Sequence, residues 1–207
     1  MSKENDYNDS QYGSSNYTMD TKKLFGLCLK QSTEVIDQVS AADYEKPTPD
    51  TEWNVHDLAA HMINELSWTA NMVRGVTIEQ VGDRYDHDLV GDNLQLNWQV
   101  AASAAEAAVK TGDITAIAHA SYGDVKVADY LREAASDQLI HAWDLGTALS
   151  IPVVFDHDVA QTVYDLTLPK LPSMRASGLF APPVDVPSTA DLQTKLLALY
   201  GRNQTKS

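Results

Sequence analysis

The stretch LREAASDQLIHAWDLGTAL, residues 131–149, reads as the body of one long helix that begins near Val127. Tyr130, Ala134, Asp137, His141, Asp144 with Leu145, and Ala148 recur at intervals of three or four, so they share one helical face. The ends of that face are apolar and its middle is polar. Helix bundles give such a pattern a use, because facing helices aim their inward polar side chains at one another. The segment therefore predicts an all-α protein with a polar cluster inside it.

Upstream, TEWNVHDLAAHMINELSWTANMVRG, residues 51–75, predicts the facing helix. Asn54 is a good N-cap with Asp57 three residues on, and Arg74 followed by Gly75 makes a suitable stop. The stripe is Val55, Leu58, His61 with Met62, Glu65, Thr69 and Met72, which sets His61 and Glu65 one turn apart. Two further main helices are predicted. One runs over Thr21–Ser40 through Leu24, Leu27 or Cys28, Gln31, Val35 and Val39. The other runs over Asn93–Lys110 through Leu94, Trp98, Ala101, Ala105 and Ala108. The connection AADYEKPTPDTEW carries two prolines, and residues 75–91 read as irregular. Residues 118–127 suit a short extended pair with a turn. After Pro152 come a short helix over Asp158–Leu168, a loop over LPSMRASGLFAPPVDVP, and a last helix over Ala190–Tyr200 that ends at Gly201.

The 207 residues carry 15 Lys plus Arg against 29 Asp plus Glu, a formal net charge of −14. No run of Lys or Arg forms a basic patch, which argues against nucleic acid or a membrane surface as partner. Cys28 is the one cysteine, so no intramolecular disulfide, Cys-based zinc finger or CxxC pair is available. No apolar run approaches the ~20 residues that span a bilayer, and the amino terminus lacks a basic-then-apolar pattern. These features lead us to expect a cytoplasmic protein. Residues 1–18, MSKENDYNDSQYGSSNYT, have no aliphatic side chains to offset the entropy of ordering and are expected to form a disordered tail. Residues 19–203 are expected to form one helix-bundle domain.

Asp137 and His141, four residues apart on a helix, can converge on a single ion, and His61 can reach them from the facing helix. Neutral imidazole and ionised carboxylate are suitable metal ligands, and three such ligands leave coordination positions open, as reactive sites require. Spacing alone leaves a second reading, a hydrogen-bonded polar cluster without an ion. His56, His87, His119 and His157 fall in a first helical turn or in loops and read as solvated. Trp53, Trp68, Trp98 and Trp143 read as core.

The two quoted stretches together resemble the metal-binding domain of the mycothiol-dependent maleylpyruvate isomerase family, within the wider DinB-like bundles. The resemblance runs from Thr21 to Asn203 and includes the ending LLALYGR, residues 196–202. It implies that a Trp-x7-His motif places one metal ligand on His61, counted from Trp53. A carboxylate-x3-His motif then places two more on Asp137 and His141. The isomerase is similar with Glu at the first of these, so Asp137 reaches less far by one methylene. It also has a further carboxy-terminal domain that helps to build its substrate site, and those substrate-binding residues are not carried over. Glu65 and Asp144, each about one turn from a ligand, could ligate, orient a ligand from behind or face solvent; Glu65 is expected to orient, and Asp144 either to orient or to bond backbone and cap the packing around Trp143.

The resemblance implies a DinB-like four-helix bundle with long connections and small carboxy-terminal helices. It implies a divalent metal ion, zinc first, with nickel, iron or manganese left open. The implied function is a metal-dependent enzyme of thiol-dependent isomerase or transferase type, acting on a small molecule with a low-molecular-weight thiol such as mycothiol. The alternative is a metal- or small-ligand-binding protein without turnover. A homodimer is left open.

Overall fold

The computed structural model of the chain describes residues 19–178 and 181–203. Its elements are α1 (Thr21–Ile36), α2 (Val55–Met72), the single turn α3 (Ile78–Val81) and α4 (Leu94–Thr111). A hairpin of β1 (Ile117–Ala120) and β2 (Gly123–Lys126) follows, then α5 (Val127–Leu149), α6 (His157–Thr167), α7 (Leu171–Ser177) and α8 (Leu192–Leu199). The expectation for residues 1–18 lies outside the described residues.

Helices α1, α2, α4 and α5 form the bundle. α1 packs against α5 and α4, and α2 packs against α4 and α5, so α5 has α1 on one side and α2 on the other. Leu24, Phe25, Leu58, Met62, Leu66, Trp98, Leu131 and Leu139 are fully buried between them. Each such burial is worth about 1.5–3 kcal/mol, so apolar contact rather than polar pairing holds the bundle together. Polar groups inside are mostly paired. Trp98 Nε1 donates to Thr33 Oγ1 at 3.0 Å, and Ser32 Oγ donates to the Gln138 carbonyl at 2.9 Å across α1 and α5.

The caps follow the local sequence. The Asn54 side chain accepts the Asp57 N–H at 2.9 Å, and the Asn93 side chain accepts that of Leu96 at 3.0 Å. These bonds satisfy donors that a helix leaves open at its start. α1 is shorter than expected, ending at Ile36, because Ser40 opens a separate turn: its N–H and hydroxyl both donate to the Asp43 carboxylate. The segment 75–91 is not wholly irregular, since Thr77 and Gln80 cap the turn α3.

The larger correction concerns LPSMRAS, which was expected to be loop and is the helix α7. Pro169 and Pro172 stand in the first turns of a short 3-10 segment and of α7, where a missing N–H costs nothing, so they start these turns instead of breaking them. α6 then packs on α8, and Gln193 ties both to the α5–α6 connection through Phe155 N and Val153 O. The return of the chain to the bundle end brings Arg202 inward, nine-tenths buried. No helix among the described residues is long and apolar enough to cross a membrane.

Candidate metal centre

His61 stands mid-way along α2, and Asp137 and His141 stand one turn apart on the face of α5 that meets it. One potential ligand atom from each lies within 4.8 Å of the others. His61 Nε2 is 3.4 Å from Asp137 Oδ2, and His141 Nε2 is 3.3 Å from Asp137 Oδ1. The imidazoles meet nearly edge to face, with centroids 5.0 Å apart. Two ring nitrogens therefore address the two oxygens of one carboxylate. The His61 and Asp137 side chains are 23% and 30% exposed and His141 only 8%, so the cluster is reached from solvent past the first two.

His61 Nε2 and Asp137 Oδ2 are both buried and both lack a hydrogen-bond partner. A buried polar atom left unpaired costs about 1–3 kcal/mol, and native interiors contain few of them. Two imidazoles and one carboxylate are donors that zinc accepts, and an ion between them would satisfy both atoms at once. The residues present thus fit a metal ion.

Electrostatics couples the three groups. Burial disfavours charge on Asp137, but His141 and His61 outweigh it and hold the carboxyl far below its ordinary range. Burial also opposes a charged His141, yet Asp137 and Asp144 overcome it and raise the ring to about 10. Without an ion the cluster therefore holds a charged pair of Asp137 and His141, and a metal binding there displaces the proton on His141 Nε2.

Behind His141 the polar chain continues. His141 Nδ1 is 3.0 Å from Asp144 Oδ2, and Arg202 grips the same carboxylate from Nε at 3.1 Å and Nη2 at 2.8 Å. Arg202 Nη2 also reaches Asp50 Oδ2 at 2.7 Å. Asp50, His141 and Asp144 form a second group with metal-like spacing. The guanidinium already supplies the cation there, so we assign no ion to it. Trp53 lies over the outer cluster, its ring centroid 4.5 Å from that of His61 and 5.8 Å from that of His141. An open groove of about 720 Å³ between the end of α5, α6 and residues 191–193 has a mainly apolar lining and shares none of these ligand atoms.

Residues 25–146 match the family model of the mycothiol maleylpyruvate isomerase N-terminal domain. The chain belongs to this family. A crystal structure of the mycothiol-dependent maleylpyruvate isomerase matches 73% of this chain and 68% of that one, at 14% identity and a TM-score of 0.58. That of a histidine-to-alanine mutant of the isomerase matches 74% and 70%, at 15% identity and a TM-score of 0.60. At such identities the likeness is one of fold, the DinB-like bundle. No curated protein is significantly similar in sequence to the chain.

Within this isomerase-family domain, Asp144 touches His141 directly, whereas Glu65 is not among the converging atoms. Glu65 feels the cluster through its field: burial first, then the charge of Asp137, pushes its carboxyl up to about 7. Of the remaining histidines, His87 and His157 are exposed. His119 pairs with Asp124 at 2.8 Å, and half-buried His56 lies 3.4 Å from Asp88. Trp98 and Trp143 are core as expected, but half-buried Trp53 belongs to the site. The Trp-x7-His spacing carried that signal. Asp50 and Arg202 were missed. The family match ends at residue 146, and the 58 positions between Asp144 and Arg202 leave no local pattern to read.

Proposed function

We propose that the protein is a metal-dependent enzyme of thiol-dependent isomerase or transferase type, with one divalent ion, zinc by its donor set, held by His61, Asp137 and His141. The observation that carries this reading is the pair of buried, unpartnered atoms, His61 Nε2 and Asp137 Oδ2, facing each other across α2 and α5. When bound, such an ion lowers the pKa of a thiol or of water and so makes a nucleophile available at neutral pH.

The chain's own residues prepare that chemistry. Asp144 accepts from His141 Nδ1, which leaves Nε2 to face the cluster. Trp53 covers the two imidazoles and limits water on that side. Glu65, one turn on from His61, acts on the cluster through its charge, being buried beside Asp137.

The thiol is external. Cys28 is fully buried on α1, and burial pushes its thiol up to about 12, so it supplies no thiolate at neutral pH. The isomerases of similar fold are mycothiol-dependent, which makes a low-molecular-weight thiol of that kind the first candidate here. We place the protein in the cytoplasm, where such thiols stay reduced.

The test is metal analysis of protein purified without a polyhistidine tag, followed by calorimetric titration of mycothiol into the zinc-loaded and metal-free forms. Stoichiometric metal with thiol binding only in the loaded form is expected. A protein that takes up no divalent ion refutes the reading, and metal uptake with no thiol binding leaves only the metal-binding alternative.

A further inference from the structure

We propose that Arg202 is a positioning residue for His141, acting through Asp144 and itself fixed by Asp50; the inference rests on the metal reading of the cluster.

Asp144 has no exposed side-chain surface, and a buried carboxylate persists only if it is paired and hydrogen-bonded. Arg202 meets both needs. Its Nε lies 3.1 and 3.3 Å from the two carboxylate oxygens, and its Nη2 lies 2.8 Å from Oδ2. A planar guanidinium held side-on fixes the plane of the carboxylate as well as its charge. Asp144 Oδ2 is also the atom nearest His141 Nδ1. An ionised carboxylate only accepts, so Nδ1 must donate to it, and Nε2 is thereby turned toward Asp137 and His61.

The guanidinium is anchored in its turn. Nη1 donates to the Tyr200 carbonyl at 2.9 Å, and Nη2 to Asp50 at 2.7 Å, on the segment leading into α2. Asp50 belongs to the turn that presents Trp53, whose N–H bonds the Asp50 carbonyl at 3.0 Å. One cation from the carboxy-terminal segment therefore ties the orientation of a ligand on α5 to the segment that covers the ligand on α2. A lysine keeps the charge, but a single ammonium lacks the fork that holds Asp144 and Asp50 together.

The test uses the full chain as wild type, R202K, D50N and the double variant D144N/R202M, the last leaving no buried charge stranded at this point. Two readouts are taken. The first is the slowly exchanging His141 Nδ1–H resonance in metal-free protein, and the second is zinc affinity by competition with a chromophoric chelator. R202K and D144N/R202M are expected to lose the resonance and to bind zinc about 10–100-fold more weakly, the usual effect of removing a group behind a metal-bound histidine. D50N is expected to keep the resonance with a smaller loss of affinity. Should R202K fail to fold, the double variant decides. Retention of the resonance together with zinc affinity within about twofold of wild type overturns the proposal. Wild-type protein that binds no zinc refutes the metal reading instead, and the resonance alone then judges the clamp.

Discussion

His61 Nε2 and Asp137 Oδ2 lie 3.4 Å apart across α2 and α5, and neither has a hydrogen-bond partner. Removing one of them therefore has an effect that depends on whether an ion sits between them. H61A is expected to lower zinc affinity by more than the ~10–100-fold typical of groups that only support a ligand. In metal-free protein the same change withdraws one of the two rings that offset the burial of the Asp137 charge and leaves Oδ2 still without a partner, so the unfolding midpoint is expected to fall. Competition titration and calorimetry of the two forms check both halves.

Replacing His141 with Ala is expected to abolish metal retention while far-ultraviolet circular dichroism stays helical. The bundle rests on buried side chains such as Leu58, Met62, Trp98 and Leu139, each worth about 1.5–3 kcal/mol, and not on its ion. A structural zinc site behaves differently, because there metal binding supplies folding energy and the metal-free chain unfolds. Helicity that collapses together with metal loss would make the ion structural and remove the support for an open coordination position.

Much of this was legible in the sequence because it is local. A 3.6-residue period with an Asn cap marks α2 and α4, and α5 runs over Val127–Leu149, the bounds the periodicity predicts. The pairing of His61 with the Asp137–His141 turn was legible as two polar interruptions of apolar stripes. What escaped was non-local or depended on position within an element. The prolines of LPSMRAS look like breakers until they are seen in first turns, and Arg202 is bound to Asp144 and Asp50 by tertiary contacts that no periodicity announces.

Cys28 should not react with maleimide reagents in the folded protein at pH 8, whether or not zinc is bound, because burial both shields the thiol and pushes it up to about 12. Full labelling is expected only after denaturation. Rapid labelling of native protein would return this thiol to the list of candidate nucleophiles and weaken the case for an external one.

Asp144 makes the cluster sensitive to acid. Burial works against its charge, but His141 and Arg202 outweigh burial and hold its folded pKa below the ordinary value. A depressed carboxyl contributes stability that is present above the unfolded pKa of about 3.9 and is lost as pH falls through the folded value. D144N is expected to cost about 2–3 kcal/mol at neutral pH, less than the ~3–5 of a fully stranded charge because Asp50 still pairs with Arg202. It should also flatten the loss of stability below about pH 4. Chemical denaturation of wild type and variant across that range measures both, and parallel curves would show that Asp144 is no source of the acid dependence.

Gly201 decides whether Arg202 arrives at all. Its φ is +78°, and a Cβ built there would stand 2.5 Å from the Ala181 Cβ and 3.0 Å from the Pro182 carbonyl. An L side chain at such a φ costs about 1–2 kcal/mol before any clash is counted. G201A must therefore shift the backbone that leads into Arg202, away from residues 181–182. The expected outcome is a loss of about 1–3 kcal/mol of stability, as for a residue forced into a disfavoured backbone region. Zinc binding should weaken in the same sense as in R202K, although residue 201 touches no ligand. A variant that loses this stability yet binds zinc like the wild type would mean that the guanidinium re-forms its bonds from a displaced backbone, and that the seat of Arg202 is set by Asp50 and Asp144 rather than by the turn before it.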